Sequence, residues 1–235
     1  MPNLSVILPL YRTADALEEL HAGLVNVLEA AHLSFEIVAV NDACPQGSGP
    51  LLNALAARDP RVVPLHLPAN AGQQRAVWQG LQKARGERIA ILDADLQDEP
   101  EHLPTLLRAL ASHPVHAVFA GRRGQYQNRS RMATSYLFKH LLHLIAHVPP
   151  DAGSYVVFTR TMADAILRCP VPHPYMLALI GATGLPVLSL PIPRAPRPAG
   201  RSAYSPWTRL QFACRGLHTA LTARLQHRGT PWTTN

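Results

Sequence analysis

Asp93 and Asp95 stand one residue apart, with Gln97 and Asp98 close behind, in a stretch that reads R-I-A-I-L-D-A-D-L-Q-D-E-P from Arg88 to Pro100. Two carboxylates and an amide oxygen at this spacing are hard ligands, suited to a Mg²⁺ or Mn²⁺ ion that carries substrate phosphates. Acidic residues also favour helix starts through capping and the helix dipole, so the turn alone leaves both readings open. The apolar run 89–92 ahead of the carboxylates has the pattern of a buried parallel strand, and E-H-L-P-T-L-L-R-A-L at 101–110 is helical. The carboxylates therefore fall where a strand ends, the edge at which open α/β sheets bind ligands.

The elements that must position them alternate in the βα manner. Residues 4–10 (L-S-V-I-L-P-L) predict a strand, and 14–31 carry Leu17, Leu20, Leu24, Val27 and Leu28 at helical spacing. A second strand over 35–41 (F-E-I-V-A-V-N) breaks at Asp42 into the turn-rich A-C-P-Q-G-S-G-P. A helix over 51–58, a strand over 61–67 and a helix over 71–84 follow, the last with Gly86 as its cap. Such alternation implies a mostly parallel sheet covered on both faces.

Four strand ends then bring polar groups to one edge: Pro9 and Tyr11, Asn41 and Asp42, Asn70 with Gly72 and Gln73, and Asp93 with Asp95. The set suits a nucleotide, with a ring to lie against the base, a carboxylate to accept from base N–H groups and a cation for the diphosphate. Taken singly, Tyr11 reads equally as a loop aromatic, Asp42 as an Asx-turn residue and Gly72 as a glycine at a helix start. Their shared edge favours the joint reading. Neither the P-loop nor the dinucleotide fingerprint follows the first strand.

P-L-Y at 9–11, V-N-D at 40–42, N-A-G-Q-Q-R-A at 70–76 and I-L-D-A-D-L-Q-D-E-P-E at 91–101 resemble the family-two inverting glycosyltransferases. Within these the chain most resembles the dolichyl- or polyprenyl-phosphate sugar synthase branch, over roughly residues 3–225. The resemblance implies an α/β chain of GT-A fold, the Rossmann-like architecture of nucleotide-diphospho-sugar transferases, with a mostly parallel central sheet. It implies that Asp93 and Asp95, helped by Gln97, hold Mg²⁺ or Mn²⁺ on the diphosphate of a nucleotide-sugar donor. It also implies that Pro9, Tyr11 and Asp42, with Asn70, Gly72, Gln73 and Ala94, line the nucleotide pocket; Asp42 would suit uracil or guanine.

On the acceptor side, the resemblance places a phosphate against Arg122, at the end of a strand predicted over 115–121, and against Arg131 and Ser135. The latter two lie four apart on one helical face, and forked guanidinium groups fit phosphate oxygens bidentately. R-P-A-G-R-S-A-Y at 197–204 resembles the acceptor-side loop of the same branch, with Arg197 and Arg201 available to phosphates. Within the strand predicted over 148–160, where the branch commonly reads D-x-G-x-F-R or D-x-x-S-G-F-R, Asp151, Gly153 and Tyr155 match, whereas Val156 stands in the place of the arginine. A polyprenyl phosphate acceptor is already ionised and needs no base. A glycan hydroxyl needs one, and Asp151 is then the expected catalytic carboxylate.

Composition bounds the rest. The chain has 235 residues, is 47% hydrophobic and only 16% charged, and carries a net charge of +7. A basic surface suits phosphorylated substrates, anionic lipid or nucleic acid. Nucleic acid is not expected, because the basic residues are not interleaved with stacking aromatics and aromatic content is 6%. Cys44, Cys169 and Cys214 form no C-x-x-C pair and the N-terminus lacks a signal-peptide pattern, which points to a reducing cytoplasm. No apolar run reaches about eighteen residues, so nothing is expected to span a bilayer.

His140, His143 and His147 read as helix-face residues rather than metal ligands, since no Glu or Cys pattern accompanies them. A short helix and a strand over 185–192 are predicted between two proline-rich segments. From position 207, Trp207, Leu210, Cys214, Leu217, Leu221 and Leu225 fall on one stripe of an amphipathic helix, with Arg209, Arg215 and His227 off it. That pattern suits peripheral contact with the cytoplasmic face of a membrane, a membrane subunit, or simple packing on the domain. The expected division is a catalytic domain over 1–204, with a nucleotide-binding half to about 121 and an acceptor half beyond it, followed by the amphipathic helix and tail over 205–235.

A sugar nucleotidyltransferase would open with a Gly-rich basic loop after the first strand, and a haloacid-dehalogenase-like phosphatase would carry its D-x-D there. This chain does neither. The alternatives to lipid-carrier glycosylation are transfer to a saccharide hydroxyl in cell-surface polysaccharide synthesis and a non-catalytic scaffold that binds sugar nucleotides.

Overall fold

The computed structural model describes residues 1–122, 142–169, 171–193 and 206–227. Seven strands make one sheet: β1 (Leu4–Leu10), β2 (Phe35–Asn41), β3 (Val62–His66), β4 (Arg88–Ile91), β5 (Ala117–Arg122), β6 (Val156–Thr159) and β7 (Val187–Ile192). Their order is β3-β2-β1-β4-β6-β5-β7. Pairing is parallel everywhere except at β6, which runs antiparallel to both β4 and β5.

The centre of the sheet is buried on both faces, as the near-continuous apolar runs require: every residue of β1 and β2 is buried. The pleat sends successive side chains of β1 to opposite layers. Leu4, Val6, Leu8 and Leu10 join the core that includes Leu17, Leu20, Leu24 and Leu28 of α1 (Ala14–Ala30). Ile7 joins the other core, with Val77, Trp78 and Leu81 of α3 (Gln73–Lys83). Truncating one of the α1 leucines, such as Leu24→Ala, removes a fully buried side chain and costs about 2–5 kcal/mol. Helix α2 (Ser48–Arg58) packs beside β3, and α4 (Leu103–Ser112), preceded by a 3₁₀ turn at Pro100–His102, lies against β5 and β6.

Two sequence expectations change here. The strand predicted over 148–160 shortens to β6, because Pro149 and Pro150 have no N–H for a ladder and the chain turns at 150–151. Gly86 does not cap α3, which ends at Ala84 in extended conformation. Instead, Gly86 lies so close to β1 that an added Cβ would meet Ser5 N and the Leu4 carbonyl carbon.

That contact belongs to a polar network under the amino ends of the strands. Gly86 N donates to Ser5 Oγ at 2.7 Å, Ser5 Oγ donates to Glu36 Oε1 at 2.7 Å, and Arg85 Nη2 donates to Glu36 Oε2 at 2.6 Å. Burial pushes the Glu36 carboxyl up, but the bonds from Ser5 and Arg85 outweigh it and hold the group below its usual value. A similar tie closes the turn into β3, where Asp59 accepts from Arg61 Nη2 at 2.8 Å and lies 3.0 Å from His21 Nε2.

Beyond β6 come α5 (Arg160–Leu167), whose N-cap Thr159 accepts from Met162 N, and α6 (Met176–Ala182). Helix α7 (Pro206–His227) packs against α6 through a face different from the predicted stripe. Gly216, Thr219, Ala220 and Ala223 are buried, while Cys214, Leu221 and Leu225 are exposed. Thr219 Oγ1 donates to His173 O at 2.7 Å and Arg224 Nη1 donates to Ile145 O, so small residues and two polar bonds seat the helix. Among the described residues no helix is long and apolar enough to cross a membrane.

Hydrogen bonds from Arg61 hold the Asp59 carboxyl far below its usual range, against the opposing effect of burial. A depressed folded pKa means that this contribution is complete above the unfolded value of about 3.9 and is lost as pH falls through the folded one. Asp59→Asn should therefore destabilise the chain by about 1.5–3 kcal/mol at neutral pH. In thermal unfolding followed from pH 7 down to 3, the gap between variant and parent should narrow at the acid end.

Candidate active site

Three of the five described non-glycine residues with left-handed backbone lie at the carboxyl edge of the sheet; the others are His32, ahead of β2, and His147. Arg12 after β1, Ala43 after β2 and Leu96 after β4 have φ of 58°, 48° and 59°, and Gly72 after β3 has φ of 85°. Each non-glycine residue in this region costs about 1 kcal/mol or more, and such positions gather where function demands a particular turn.

Hydrogen bonds between these turns fix them to one another. Asp42, 1% exposed at the end of β2, accepts from Ala71 N at 2.6 Å and Gly72 N at 2.9 Å, while Asn70 Nδ2 donates to the Asp42 carbonyl at 3.4 Å. The carboxylate thus anchors the turn ahead of α3, and each of its oxygens retains a second lone pair. Asn41 Oδ1 accepts from Cys44 N at 3.1 Å, and Cys44 Sγ accepts from Arg12 N at 3.2 Å, joining the turns after β1 and β2. Pro9 is buried in β1 opposite Val40. Tyr11 projects beyond it, 41% exposed, with the Arg12 guanidinium 5.4 Å from its ring centre.

The acidic turn lies beside these groups. Asp93 is half-buried and both its oxygens are engaged: Gln73 Nε2 donates to Oδ1 at 2.5 Å and Ser154 Oγ donates to Oδ2 at 2.6 Å. Asp93 N donates to Asp98 Oδ2 at 3.2 Å, and Gln97 N donates to Asp95 Oδ1 at 3.2 Å. Ala94, Gln97 and Asp98 are buried. Tyr155 OH donates to Glu99 O at 3.2 Å. Burial first, then the charges of Asp98, Glu101 and Glu99, push its phenol pKa up, so it remains a donor.

Ser154 and Tyr155 reach this turn because β6 is antiparallel. Its first residue, Val156, pairs with Ile91 of β4 and Phe119 of β5, so the residues ahead of it emerge at the carboxyl edge of the parallel strands. Asp151 arrives by the same route. It leans against the end of β5, where Gly121 has no side chain; an added Cβ would run into Asp151 Oδ2 and Ser189 Oγ. Val156, in the place of the family's arginine, is 1% exposed and packs in the sheet core.

The structure therefore brings Tyr11, Asp42, Asn70, Gly72, Gln73, Asp93, Asp95 and Gln97 to one edge, with Asp151 alongside. Arg122 closes β5 at the same edge, opposite Ile192. Arg131, Ser135, Arg197, Arg201 and His140 lie outside the described residues. His143 donates through Nδ1 to Val148 O at 2.9 Å, and His147 is exposed just past the helical residues 142–146. Sequence reasoning overlooked Ser154. The signal that could have found it is the serine of the D-x-x-S pattern, three residues after Asp151; attention to the arginine that Val156 replaces passed over it.

Among the described residues there is no group of three or more His, Cys, Asp or Glu that could hold a metal ion. A Mg²⁺ or Mn²⁺ ion that takes one or two carboxylates and fills its shell with phosphate oxygens and water does not require one. The oxygen-rich 95–98 turn has the donor chemistry for such an ion.

The glycosyl transferase family 2 model matches residues 5–169, most of the chain. The chain belongs to glycosyl transferase family 2. It is thus a glycosyltransferase that uses nucleotide sugars. Among relatives, an uncharacterized glycosyltransferase of Synechocystis sp. is 27% identical over 218 residues, covering 92% of this chain and 68% of its own length. A bactoprenol glucosyl transferase of Shigella phage SfV is 25% identical over 217 residues, covering 92% of this chain and 71% of its own.

Solved structures show the GT-A fold. A mannosyltransferase from Pyrobaculum calidifontis in complex with GDP-Man and Mn²⁺ matches with a TM-score of 0.62 at 18% identity, over 95% of this chain and 73% of that one. Glucosyl-3-phosphoglycerate synthase from Mycobacterium tuberculosis in complex with Mn²⁺, UDP and glucosyl-3-phosphoglycerate gives 0.61 at 15% identity, over 98% and 81%.

Asp42→Asn would turn an NH₂ group toward one of two main-chain N–H donors, costing a charge-assisted bond worth about 1.5–3 kcal/mol. In this family 2 enzyme the amides of Ala71 and Gly72 should then exchange hydrogen at least about tenfold faster than in the parent protein. Amide hydrogen exchange by NMR measures this directly.

Proposed function

We propose that this family 2 enzyme transfers a sugar from a nucleotide-diphosphate donor to a polyprenyl phosphate, with inversion and with the help of Mg²⁺ or Mn²⁺. The carrying observation is the bond from Ser154 to Asp93, which joins the donor-side acidic turn to the loop holding Asp151 and sets both at one sheet edge. A donor diphosphate and an acceptor can then meet across that edge. The bactoprenol relative supports the lipid acceptor, since the similarity extends over 92% of this chain.

In this reading Asp95 and Gln97 hold the cation with Asp93 beside them, and the ion supplies electrostatic stabilisation of the leaving diphosphate. Tyr11 and the Asp42-anchored turn of Asn70 and Gly72, with Pro9 and Ala94 behind them, border the nucleotide. Arg122, Arg131 and Ser135, with Arg197 and Arg201, serve the acceptor phosphate. That phosphate is already an anion, so a single displacement at the anomeric carbon proceeds without a protein base. The catalytic domain spans residues 1–204, with the helix and tail beyond it. Transfer to a saccharide hydroxyl is the second reading; it is favoured by Asp151, whose carboxylate stands at the same edge and would serve as base.

Peripheral attachment to the cytoplasmic face of a membrane belongs to the lipid-carrier reading. From Ala165 to Asn235 the chain has eight arginines and no acidic residue. Leu221 and Leu225, one turn apart on α7, are 52% and 69% exposed. A basic segment with exposed leucines suits an anionic bilayer surface.

A mass-spectrometric transfer assay with pooled UDP-, GDP- and dTDP-sugars, Mn²⁺ and detergent-dispersed polyprenyl phosphate tests the proposal. The parent chain should give a glycosyl-phospholipid, and Asp95→Ala should lower its formation by at least about a hundredfold. Donor hydrolysis without a lipid product would move the acceptor to a hydroxyl. For the membrane contact, Leu221→Ser with Leu225→Ser should weaken co-sedimentation with phosphatidylglycerol vesicles by about tenfold or more, given the apolar area withdrawn. Retention equal to the parent's would place the contact elsewhere.

A further inference from the structure

We infer that Ser154 is a positioning residue for the donor site: with Gln73 it fixes the plane of the Asp93 carboxylate. The inference deepens the proposed function and rests on its donor reading. A carboxylate on a strand-end turn can rotate about its last torsion, and a single donor to one oxygen leaves that rotation partly open. Here the two oxygens are bonded from opposite sides, by Gln73 Nε2 at the start of α3 and by Ser154 Oγ in the loop before β6. Two donors from separate elements define the plane.

The hydroxyl is itself held. Ala152 N donates to Pro149 O at 3.0 Å, Ala120 N donates to Tyr155 O at 3.0 Å, and Tyr155 OH reaches Glu99 O. Ser154 is therefore flanked by bonds to its own loop, to β5 and to the far end of the acidic turn. The neighbourhood also explains the residue type. Asp93, Asp95 and Asp98 already place three carboxylates in six residues, so a neutral O–H can orient Asp93 without adding a fourth charge. The same loop carries Asp151, three residues earlier, so Ser154 couples the acceptor-side segment to the donor carboxylate.

The test is isothermal titration of the whole chain with UDP-, GDP- and dTDP-hexoses in the presence of Mn²⁺, using the donor that the parent binds. Ser154→Ala should weaken the donor dissociation constant by about tenfold or more, since a hydrogen bond to a charged group is lost. The thermal midpoint should fall by no more than a few degrees, as the loss of one bond to a half-buried carboxylate allows. Ser154→Thr, which keeps the hydroxyl, should restore affinity. Because Gln73 and Ser154 act on one carboxylate, adding Gln73→Ala to Ser154→Ala should cost less than the two single losses combined.

Unchanged affinity in Ser154→Ala would overturn the inference. So would a loss that Ser154→Thr fails to repair, or independent, fully additive losses in the double variant, since both would assign the effect to loop packing. A parent chain that binds none of the donors would overturn the donor reading itself, and the inference with it. That outcome is distinct from a parent that binds and a Ser154→Ala variant that binds equally well.

Discussion

One reversed strand governs the geometry of this enzyme. In a purely parallel sheet, every strand delivers its carboxyl end to the binding edge and its amino end to the opposite one. β6 runs the other way between β4 and β5, so the chain ahead of it enters at the binding edge. Asp151, Ser154 and Tyr155 are placed by that reversal, and no parallel strand in the same slot could place them. Its cost is met by burial, since Val156, Val157 and Phe158 are each 1% exposed or less. The residues that hold the strand are apolar, and the polar residues of the edge lie just outside it.

The two edges of the sheet divide the work. At the amino ends, Ser5, Glu36, Arg85 and Gly86 form a closed set of bonds, and Asp59 with Arg61 and His21 forms another. These satisfy groups that burial would otherwise make costly, and they hold the turns by which the chain re-enters the sheet. At the carboxyl ends the polar groups hold turns with left-handed residues, a conformation that persists only when neighbours over-determine it. Asp42 illustrates the principle. Each oxygen of its carboxylate accepts from the main chain of the next turn, and the turn of Asn70 and Gly72 is shaped through that anchoring.

How much of this was legible in the sequence depends on the range of the determinant. The apolar runs of β1 and β2 and the leucine spacing of α1 are local patterns, and the structure has them at Leu4–Leu10, Phe35–Asn41 and Leu17 through Leu28. The acidic turn was legible because its residue types are unusual at the end of a strand. Gly86 was misread as a cap because the reason for it lies in Ser5 and Leu4, more than eighty residues away. The packing face of α7 escaped the hydrophobic pattern for a related reason. Close approach to α6 selects small residues such as Gly216 and Ala220, and a count of leucines finds the opposite face. Ser154 stands at the serine of the D-x-x-S pattern, but its role was not legible because the pattern does not name its partner, Asp93.

The distribution of charge follows from the chemistry proposed. A cation on a diphosphate calls for carboxylates, and an acceptor phosphate calls for the opposite sign close by. Interleaving the two along the chain would pair them with one another, and such pairs contribute little while quenching both fields. In the first half such pairs do form, as at Arg85–Glu36 and Arg61–Asp59, but beyond Glu101 the acidic residues are Asp151 and Asp164 alone. Asp164 lies on α5, 3.9 Å from Arg160, and takes no place at the binding edge. Asp151 is thus the one carboxylate of the basic half that stands at that edge, in a space that a side chain at position 121 would close. A lone carboxylate there is poorly placed to hold an anion. In a lipid-phosphate transferase it would disfavour an anion beside it, and in a hydroxyl transferase it would take a proton. The position of Asp151 is therefore the point at which the two acceptor chemistries make different demands on the same fold.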